Sequence, residues 1–179
     1  HRLNRRQRQM CIRDSNSLDA SMNFNNAIID LNLNSSFAVS YYVAKKMIKK
    51  SSGCVITNIS SVTATRPTPG SAAYGAAKGG LVNLTKTLAV EWAPRIRVNS
   101  IITGYIETEN SLVHYGSKKD MKAVAKSIPM KRMGTPEDIA NACIFLSSAN
   151  SSWITGTAIE VHGGGESPTY LNSAKPKKS

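Results

Sequence analysis

The decapeptide SAAYGAAKGG at residues 71–80 places a tyrosine and a lysine four residues apart. On an α-helix, positions i and i+4 lie on one face with their Cβ atoms about 5–6 Å apart. A phenol has an ordinary pKa of about 10, and a neighbouring ammonium favours its ionised form. Tyr74 and Lys78 are therefore candidates for proton transfer. Such a pair on a helix surface also occurs for packing and solubility alone.

A serine that ends a predicted strand adds a third polar group. Ser61 follows CVITNIS (54–60), a short β-branched run typical of a buried parallel strand. The turn TRPTPGS (65–71) leads from this strand into a helix that we expect from about Ala72 to Trp92. A hydroxyl at the end of such a strand faces the same cleft as the start of the helix. It would hydrogen-bond a substrate oxygen on which charge develops.

Further elements position these groups. The spacing of apolar residues predicts a helix from Ser21 to Lys50, ended by Ser51-Ser52-Gly53, and a polar segment at 105–127 with one or two short helices. A capping threonine followed by proline begins another helix, Thr135 to about Ser147. We expect further strands at IRVNSIIT (96–103) and ITGTAIEV (154–161). This alternation of helices and strands predicts an α/β fold with a parallel sheet.

Composition limits the class of protein. A chain of 179 residues, 41% hydrophobic and 19% charged, is typical of one globular domain and not of a disordered segment. No apolar run approaches the roughly 18 residues of a membrane span, so we expect no membrane partner. The three cysteines have no metal-ligand spacing, which indicates a reduced, cytoplasmic setting and no metal site. His114 and His162 also lack such spacing, and we interpret them as loop and strand-end residues.

The net charge of +12 is concentrated at the two ends of the chain. Residues 1–15 carry five arginines and one aspartate, and the last five residues carry three lysines, which leaves +5 for residues 16–174. The leader has no apolar periodicity, so we interpret it as artefactual or disordered. A phosphate-binding basic arm is the alternative. It predicts a salt-dependent affinity for nucleic acid that disappears when residues 1–15 are deleted, but we expect no nucleic-acid partner.

The ordered set of motifs resembles the short-chain dehydrogenase/reductase family over roughly residues 21–172. Ser61 and the Tyr74-Gly-Ala-Ala-Lys78 pattern resemble the active site of the family. The other motifs follow in its order: NLNSSF (32–37), NISS (58–61), IRVNSI (96–101), PMKRMGTPEDIA (129–140), FLSS (145–148), ITG (154–156) and VHGGG (161–165). The resemblance implies a Rossmann-like, doubly wound parallel sheet. It also implies reversible hydride transfer between NADP or NAD and a small ketone or secondary alcohol.

The resemblance also implies roles for individual residues. The catalytic residues would be Tyr74 as general acid, Ser61 on the substrate oxygen, Lys78 on the phenol and Asn32 on a water that connects Lys78 to solvent. The cofactor-binding residues would be Tyr74, Lys78, Gly104, Ile106 and Thr108. For Asn32 a helix-surface amide is an alternative interpretation, and for Thr108 a helix cap is one.

The chain departs from the family pattern in three places. The Gly-rich phosphate turn and the residue that selects NAD or NADP should precede Asn23, so we expect an incomplete sheet that is the C-terminal half of the fold. We divide the chain into a leader at 1–20, a C-terminal part of an oxidoreductase domain at 21–172 and a basic tail at 173–179. Thr103 stands where the family usually has proline, and His162 stands where it usually has aspartate.

An alternative function is a catalytically silent dimerisation fragment without cofactor binding. The resemblance implies a homodimer or homotetramer for the full-length protein, formed through the two long helices. The three lysines at 118, 119 and 122 raise the alternative of an anionic substrate, but we interpret them as a solvated helix face.

Overall fold

A computed structural model of the chain describes residues 17–50 and 53–166. The predictions for the leader up to residue 16, for Ser51 and Ser52, and for the tail after residue 166 lie outside the described residues.

Six α-helices and three strands make up the regular structure of the described ranges. The helices are α1 (Met22–Ile29), α2 (Ser35–Met47), α3 (Ala72–Trp92), α4 (Ser111–Tyr115), α5 (Lys118–Ser127) and α6 (Pro136–Ser147). A π-helical turn at Asp30–Asn34 joins α1 to α2, and short 3-10 turns lie at Val62–Ala64 and Ala149–Ser151. The strands are β1 (Cys54–Ser61), β2 (Ile96–Thr103) and β3 (Ala158–Val161).

The three strands form a parallel sheet in the order β1-β2-β3. Ser61 pairs with Thr103, and Thr103 pairs with Val161, so the three carboxyl ends lie at one edge of the sheet. The α/β class with parallel strands that alternate with helices is therefore confirmed.

The two long strands differ in their burial. The central strand β2 is buried along most of its length, as predicted, and this burial includes the polar residues Asn99 and Ser100. The expectation that β1 is equally buried is wrong, because Ile59 is 41% exposed. Within the described residues β1 is an edge strand that pairs on one side only, with β2.

The segment from Met22 to Met47 is helical, as predicted, but it is interrupted. Ser21 caps its start by accepting a hydrogen bond from the backbone N–H of Phe24 at 3.2 Å. The π turn at Asp30–Asn34 then adds a residue to the backbone ladder, a feature that the spacing of apolar residues did not predict.

Helix α3 begins and ends where the sequence predicts. Five of its residues are buried: Ala77, Leu81, Thr85, Leu88 and Ala89. The last two of these join a buried cluster with Ile96 and Val98 of β2 and Ala44 of α2. Although α3 has 21 residues, no helix in the described ranges is long and apolar enough to cross a membrane.

The third strand is shorter than the sequence predicts. Only Ala158–Val161 is a strand, whereas ITGTAIEV suggested a start at Ile154. Gly156 has a φ of +75°, which a regular strand does not contain. In the preceding turn, the hydroxyl of Thr155 accepts the hydrogen bond of the Val98 N–H at 3.1 Å, in place of a ladder carbonyl.

Helix α6 has the predicted start. Thr135 caps it, Pro136 occupies its first position, and Asp138 completes a reciprocal capping box. Arg132 adds two contacts to the Asp138 carboxylate, at 2.6 and 2.9 Å.

Candidate active site

A cleft of about 690 Å³ opens where β1 and β2 end. Six of the residues predicted for catalysis or cofactor binding line it: Asn32, Ser61, Tyr74, Lys78, Gly104 and Ile106. Its charged lining residues are Arg66 and Lys78, and none of the described residues that line it is an aspartate or glutamate. The charges of the described lining are therefore cationic, and Arg66 is paired with Glu166, which lies outside the lining.

Ser61 is the last residue of β1, and it lines the cleft. Its hydroxyl oxygen accepts a hydrogen bond from the backbone N–H of Thr63 at 3.3 Å. The same hydroxyl favours ionisation of the Tyr74 phenol and so acts to lower the pKa of that tyrosine. The hydrogen bond with Thr63 holds the Ser61 side chain at the end of the strand.

Tyr74 lies in the first turn of α3 and is half-buried. Burial raises the pKa of its phenol above the ordinary value of 10.0, and the Ser61 hydroxyl acts in the opposite direction. The expectation of a lowered pKa for this phenol is therefore wrong, because burial outweighs the opposing contribution and the net shift is upward.

Lys78 lies one helical turn after Tyr74. Its ammonium lies 5.6 Å from the centroid of the Tyr74 ring and donates a hydrogen bond of 2.9 Å to the carbonyl oxygen of Ile59. Burial lowers the pKa of this lysine. The predicted placement of the two side chains on one face of the helix is confirmed.

Asn32 is positioned by the π turn. Its side-chain amide donates a hydrogen bond of 3.0 Å to the carbonyl oxygen of Ile28, and the residue is half-buried against the cleft. Leu33, the next residue, approaches α3 so closely that a Cβ on Gly80 would lie 3.0 Å from its Cδ2. Gly80, two residues after Lys78, thus allows the π turn that carries Asn32 to pack against α3.

Three hydrogen-bonding residues that hold the site together were missed by the sequence analysis. The hydroxyl of Ser60 donates to the carbonyl oxygen of Lys78 at 3.0 Å. The amide of Asn58 donates to the hydroxyl of Thr85 at 2.9 Å. Both bonds are buried links between β1 and α3. Alternation along NISS, which turns Asn58 and Ser60 to the same face, was the available signal.

The segment after β2 has packing roles of its own. A Cβ on Gly104 would lie 2.7 Å from Cβ and 2.8 Å from Cα of His162, so the strand end requires glycine there. Ile106 forms an isolated bridge with Gly134. Thr103 donates a hydrogen bond of 3.0 Å to the carbonyl oxygen of Ser60, a contact that proline does not make.

Thr108 is the one predicted site residue outside the lining of the cleft. Its backbone N–H donates to the hydroxyl of Ser111 at 2.7 Å, close to the start of α4. A local turn accounts for these contacts, and the cofactor contact of Thr108 stays a prediction.

Two further groups, Arg66 and Tyr105, also line the cleft. Arg66, in the loop after β1, donates to the phenol oxygen of Tyr105 at 3.0 Å and forms an ion pair with Glu166. The ring of Tyr105 packs edge-to-face on Tyr115, with 6.0 Å between the ring centroids. The predicted helices of the 105–127 segment supply Tyr115 and three other lining residues, His114, Val124 and Ser127. Within the described ranges, no group of histidines, cysteines and carboxylates could hold a metal ion.

Comparison with known proteins places this geometry in context. The profile of the family described as Enoyl-(Acyl carrier protein) reductase matches residues 10–166. The 3-oxoacyl-(acyl-carrier-protein) reductase FabG of Rickettsia prowazekii is 41% identical over 138 residues, which are 76% of this chain and 56% of that protein. The chain thus spans about half the length of the curated relatives it matches.

Two solved structures of dehydrogenases also match most of this chain. A 4-hydroxyisoleucine dehydrogenase mutant in complex with NADH and succinate is 35% identical, with a TM-score of 0.77 over 84% of this chain and 62% of that one. A gluconate 5-dehydrogenase from Burkholderia cenocepacia in complex with NADP and tartrate is 32% identical, with a TM-score of 0.78 over 91% and 62%. The fold is accordingly Rossmann-like and partial.

Proposed function

The chain belongs to the short-chain dehydrogenase/reductase family of oxidoreductases, and on that premise we propose that it interconverts a ketone and a secondary alcohol. Hydride transfer to or from NADP or NAD would be the reaction, with Tyr74 as general acid and base. Because the chain spans 56% of the length of a curated relative, this activity is proposed for the protein to which the described half belongs.

One observation carries the proposal: the side chains of Ser61, Tyr74, Lys78 and Asn32 line one cleft. These four come from β1, α3 and the π turn. A tyrosine and a lysine that only covered a helix surface would have no reason to meet a strand-end serine and an asparagine at a shared cavity.

The chain supplies the proton of the reaction. When bound, NADPH or NADH would supply the hydride to the carbonyl carbon. The phenol of Tyr74 then gives its proton to the carbonyl oxygen, and the product is a secondary alcohol. In the oxidative direction the phenolate removes the proton of the alcohol.

The other three residues support this transfer. The hydroxyl of Ser61 donates to the substrate oxygen as charge develops there. The ammonium of Lys78 stabilises the phenolate that remains after the proton has left. The amide of Asn32 would hold a water that brings a proton back from solvent to Lys78.

The residues present fit the nicotinamide end of the cofactor. Lys78 offers donors to ribose hydroxyls, and the cleft continues past Tyr74 to Gly104 and Ile106. Of the strands in the described ranges, none is followed by a Gly-rich turn into a helix, which is the usual site of the pyrophosphate. The chemistry of Lys78 does not distinguish NADP from NAD.

Fluorescence titration of NADPH and NADH against the 179-residue chain tests the proposal. We expect saturable binding, weakened by about tenfold or more in Lys78→Met through the loss of a charge-assisted hydrogen bond. The matched control is Lys86→Met, an exposed lysine of the same helix. Equal binding by the wild-type chain and Lys78→Met would contradict the proposal, and so would a lack of binding by the full-length protein in the same titration.

A second candidate function, subunit association without catalysis, is favoured by the surface of α2. Five large hydrophobic residues are exposed there, each at 38% or more: Phe37, Val39, Tyr41, Tyr42 and Val43. Exposed large apolar side chains in this number are typical of a protein interface. Sedimentation equilibrium combined with the cofactor titration distinguishes the two functions, because this candidate predicts a dimer that binds neither cofactor and dissociates in Val39→Asp.

A further inference from the structure

The cleft contains a built site for a carboxylate. Arg66 and Tyr105 line the cleft, and Glu166 does not. Arg66 contacts both oxygens of the Glu166 carboxylate, with Nη2 to Oε1 at 2.9 Å and Nη1 to Oε2 at 2.8 Å. The phenol of Tyr105 donates a third hydrogen bond to Oε1. A carboxylate at this position therefore meets three donors.

The residue types are those that recognise planar anions. The guanidinium of arginine presents parallel donors that match the two oxygens of a carboxylate. Tyr105 is held in place by its edge-to-face contact with Tyr115 and by the guanidinium, whose carbon lies 5.9 Å from its ring centroid. Two cleft-lining groups are thus preorganised around one carboxylate position.

A purely structural role explains this arrangement poorly. The side chains of Arg66 and Glu166 are 33% and 34% exposed, and ion pairs at such sites contribute little to stability. The two residues lie 100 positions apart in the chain. This ion pair contributes little to folding, but it positions two residues of the cleft. Ligand binding therefore explains it better than a role in stability does.

The charge of the cleft indicates the sign of the ligand. Arg66 and Lys78 are its charged lining residues, and no carboxylate lines it within the described ranges. Lysines 118, 119, 122 and 126 of the neighbouring helix α5 are exposed and add positive potential near its opening. Under the proposed function, Lys78 serves the phenol and the cofactor, so Arg66 remains for the substrate.

We propose that Arg66 and Tyr105 bind the carboxylate of an oxo-acid or hydroxy-acid substrate, and that Glu166 occupies this receptor until the substrate displaces it. The inference rests on the proposed function for the fate of the carbonyl group, which would face Ser61 and Tyr74. Binding of the carboxylate itself requires no turnover and no cofactor.

Isothermal titration calorimetry of the 179-residue chain with levulinate and with methyl levulinate tests the inference. The two probes carry the same ketone, and only levulinate carries a charge. We expect the Kd of levulinate to be lower than that of its ester by about tenfold or more. This is the affinity ratio that charge-assisted hydrogen bonds to a carboxylate are expected to give. Equal affinities would overturn the inference in the wild-type protein, without any variant.

Variants then locate the receptor. Arg66→Gln should remove the preference for levulinate. Arg66→Lys should retain part of that preference, because lysine keeps the positive charge but lacks the two parallel N–H donors of the guanidinium. Tyr105→Phe should weaken levulinate binding and leave the ester unchanged. The control is Arg95→Gln, an exposed arginine before β2 that does not line the cleft. An undiminished preference in Arg66→Gln would overturn the inference.

Glu166 gives the sharpest result. Because its carboxylate competes for the receptor, Glu166→Gln should strengthen levulinate binding by about two- to fivefold, the range expected for a partly exposed ion pair. Weaker binding in Glu166→Gln would mean that Glu166 orients Arg66 and is not displaced, which overturns the competition. Failure of the proposed function has a different signature: levulinate would bind with this pattern while neither NADPH nor NADH bound.

Discussion

The ammonium of Lys78 lies 5.6 Å from the ring centroid of Tyr74 and donates its hydrogen bond to the carbonyl oxygen of Ile59. The next residue of β1, Ser60, donates a hydrogen bond to the backbone carbonyl of Lys78. Two consecutive residues of one strand thus fix the position of Lys78, and Ser61, the residue that follows them, lines the same cleft as Tyr74. The spacing of tyrosine and lysine matters because the strand end meets that helix face.

Removal of the Tyr74 hydroxyl should separate chemistry from folding. We expect Tyr74→Phe to lower turnover about 100-fold or more, because a general acid contributes at least that factor. The free energy of unfolding should change by less than about 1.5 kcal/mol, the value of one hydrogen bond. Steady-state assay and urea unfolding measure the two quantities. Tyr42→Phe, exposed on α2, is the control, and wild-type turnover in Tyr74→Phe would exclude the role of the phenol.

The raised pKa of Tyr74 predicts how stability depends on alkaline pH. Above the ordinary value of 10.0, the unfolded chain loses the phenol proton before the folded chain does. The folded state then binds more protons, so the free energy of unfolding falls as pH rises from this value towards the folded pKa. We expect a smaller fall in Tyr74→Phe. Urea unfolding at several pH values from 9 upward measures the difference, and identical slopes would contradict the shift.

The buried pair Asn58 and Thr85 should be essential for holding β1 on α3. Thr85→Val keeps the shape of the side chain but leaves the buried Asn58 amide without its acceptor at 2.9 Å. We expect a loss of about 1–3 kcal/mol in the free energy of unfolding. Thr85→Ser should retain most of the stability, and the exposed Thr87→Val should change it by less than about 0.5 kcal/mol. A neutral Thr85→Val would show that the pair contributes nothing.

Gly104→Ala should destabilise the end of the sheet. The added Cβ would lie 2.7 and 2.8 Å from Cβ and Cα of His162, and the second atom belongs to the backbone. We expect a loss of about 1–3 kcal/mol, as for other overpacked sites. His162→Ala should not rescue it. Thermal unfolding gives the result, with Gly79→Ala as the control: a Cβ there meets only Ala64 O at 3.6 Å, so that variant should be neutral or stabilising.

Asp138 predicts a loss of stability in acid. Its hydrogen bonds with Arg132 and with the backbone N–H of Thr135 hold the pKa of the carboxyl well below its ordinary value of 3.8. The stabilisation is present above pH 3.8 and is lost as pH falls below it towards the folded pKa. Asp138→Asn should therefore lower the urea midpoint at pH 7 and have a smaller effect at pH 3. Glu137→Gln, in the same helical turn, is the control, and a loss that is equal at both pH values would contradict the assignment.

Local signals in the sequence predicted most of the elements. Helix α3 was predicted from Ala72 to Trp92 and has those bounds, because a turn precedes it and Pro94 follows. Strand β2 has its predicted bounds for a similar reason, since a segment rich in β-branched residues follows Pro94 and ends at Gly104. The pairing of Tyr74 with Lys78 follows from helical periodicity alone.

Long-range contacts account for what the sequence did not predict. The ion pair of Arg66 with Glu166 joins residues 100 positions apart, and no local pattern indicates such a partner. Burial of the Tyr74 phenol, which decides the direction of its pKa shift, depends on the surrounding cleft and not on the neighbouring lysine. The shortening of β3 depends on the positive φ of Gly156, which the run of apolar residues concealed.

The π turn at Asp30–Asn34 has a further consequence for the phase of the long helix. Ser40 follows Ile28 by twelve residues, and in an unbroken α-helix these side chains would point about 120° apart. Both are buried. A π turn inserts one residue, which reduces the effective separation to eleven residues, about three full turns, and the angle to about 20°. The insertion that presents Asn32 to the cleft therefore also sets the rotational phase of α2. Deletion of one residue in the turn would leave an unbroken α-helix with a separation of eleven residues between Ile28 and Ser40, so the buried face of α2 would be kept while the turn that carries Asn32 would be lost.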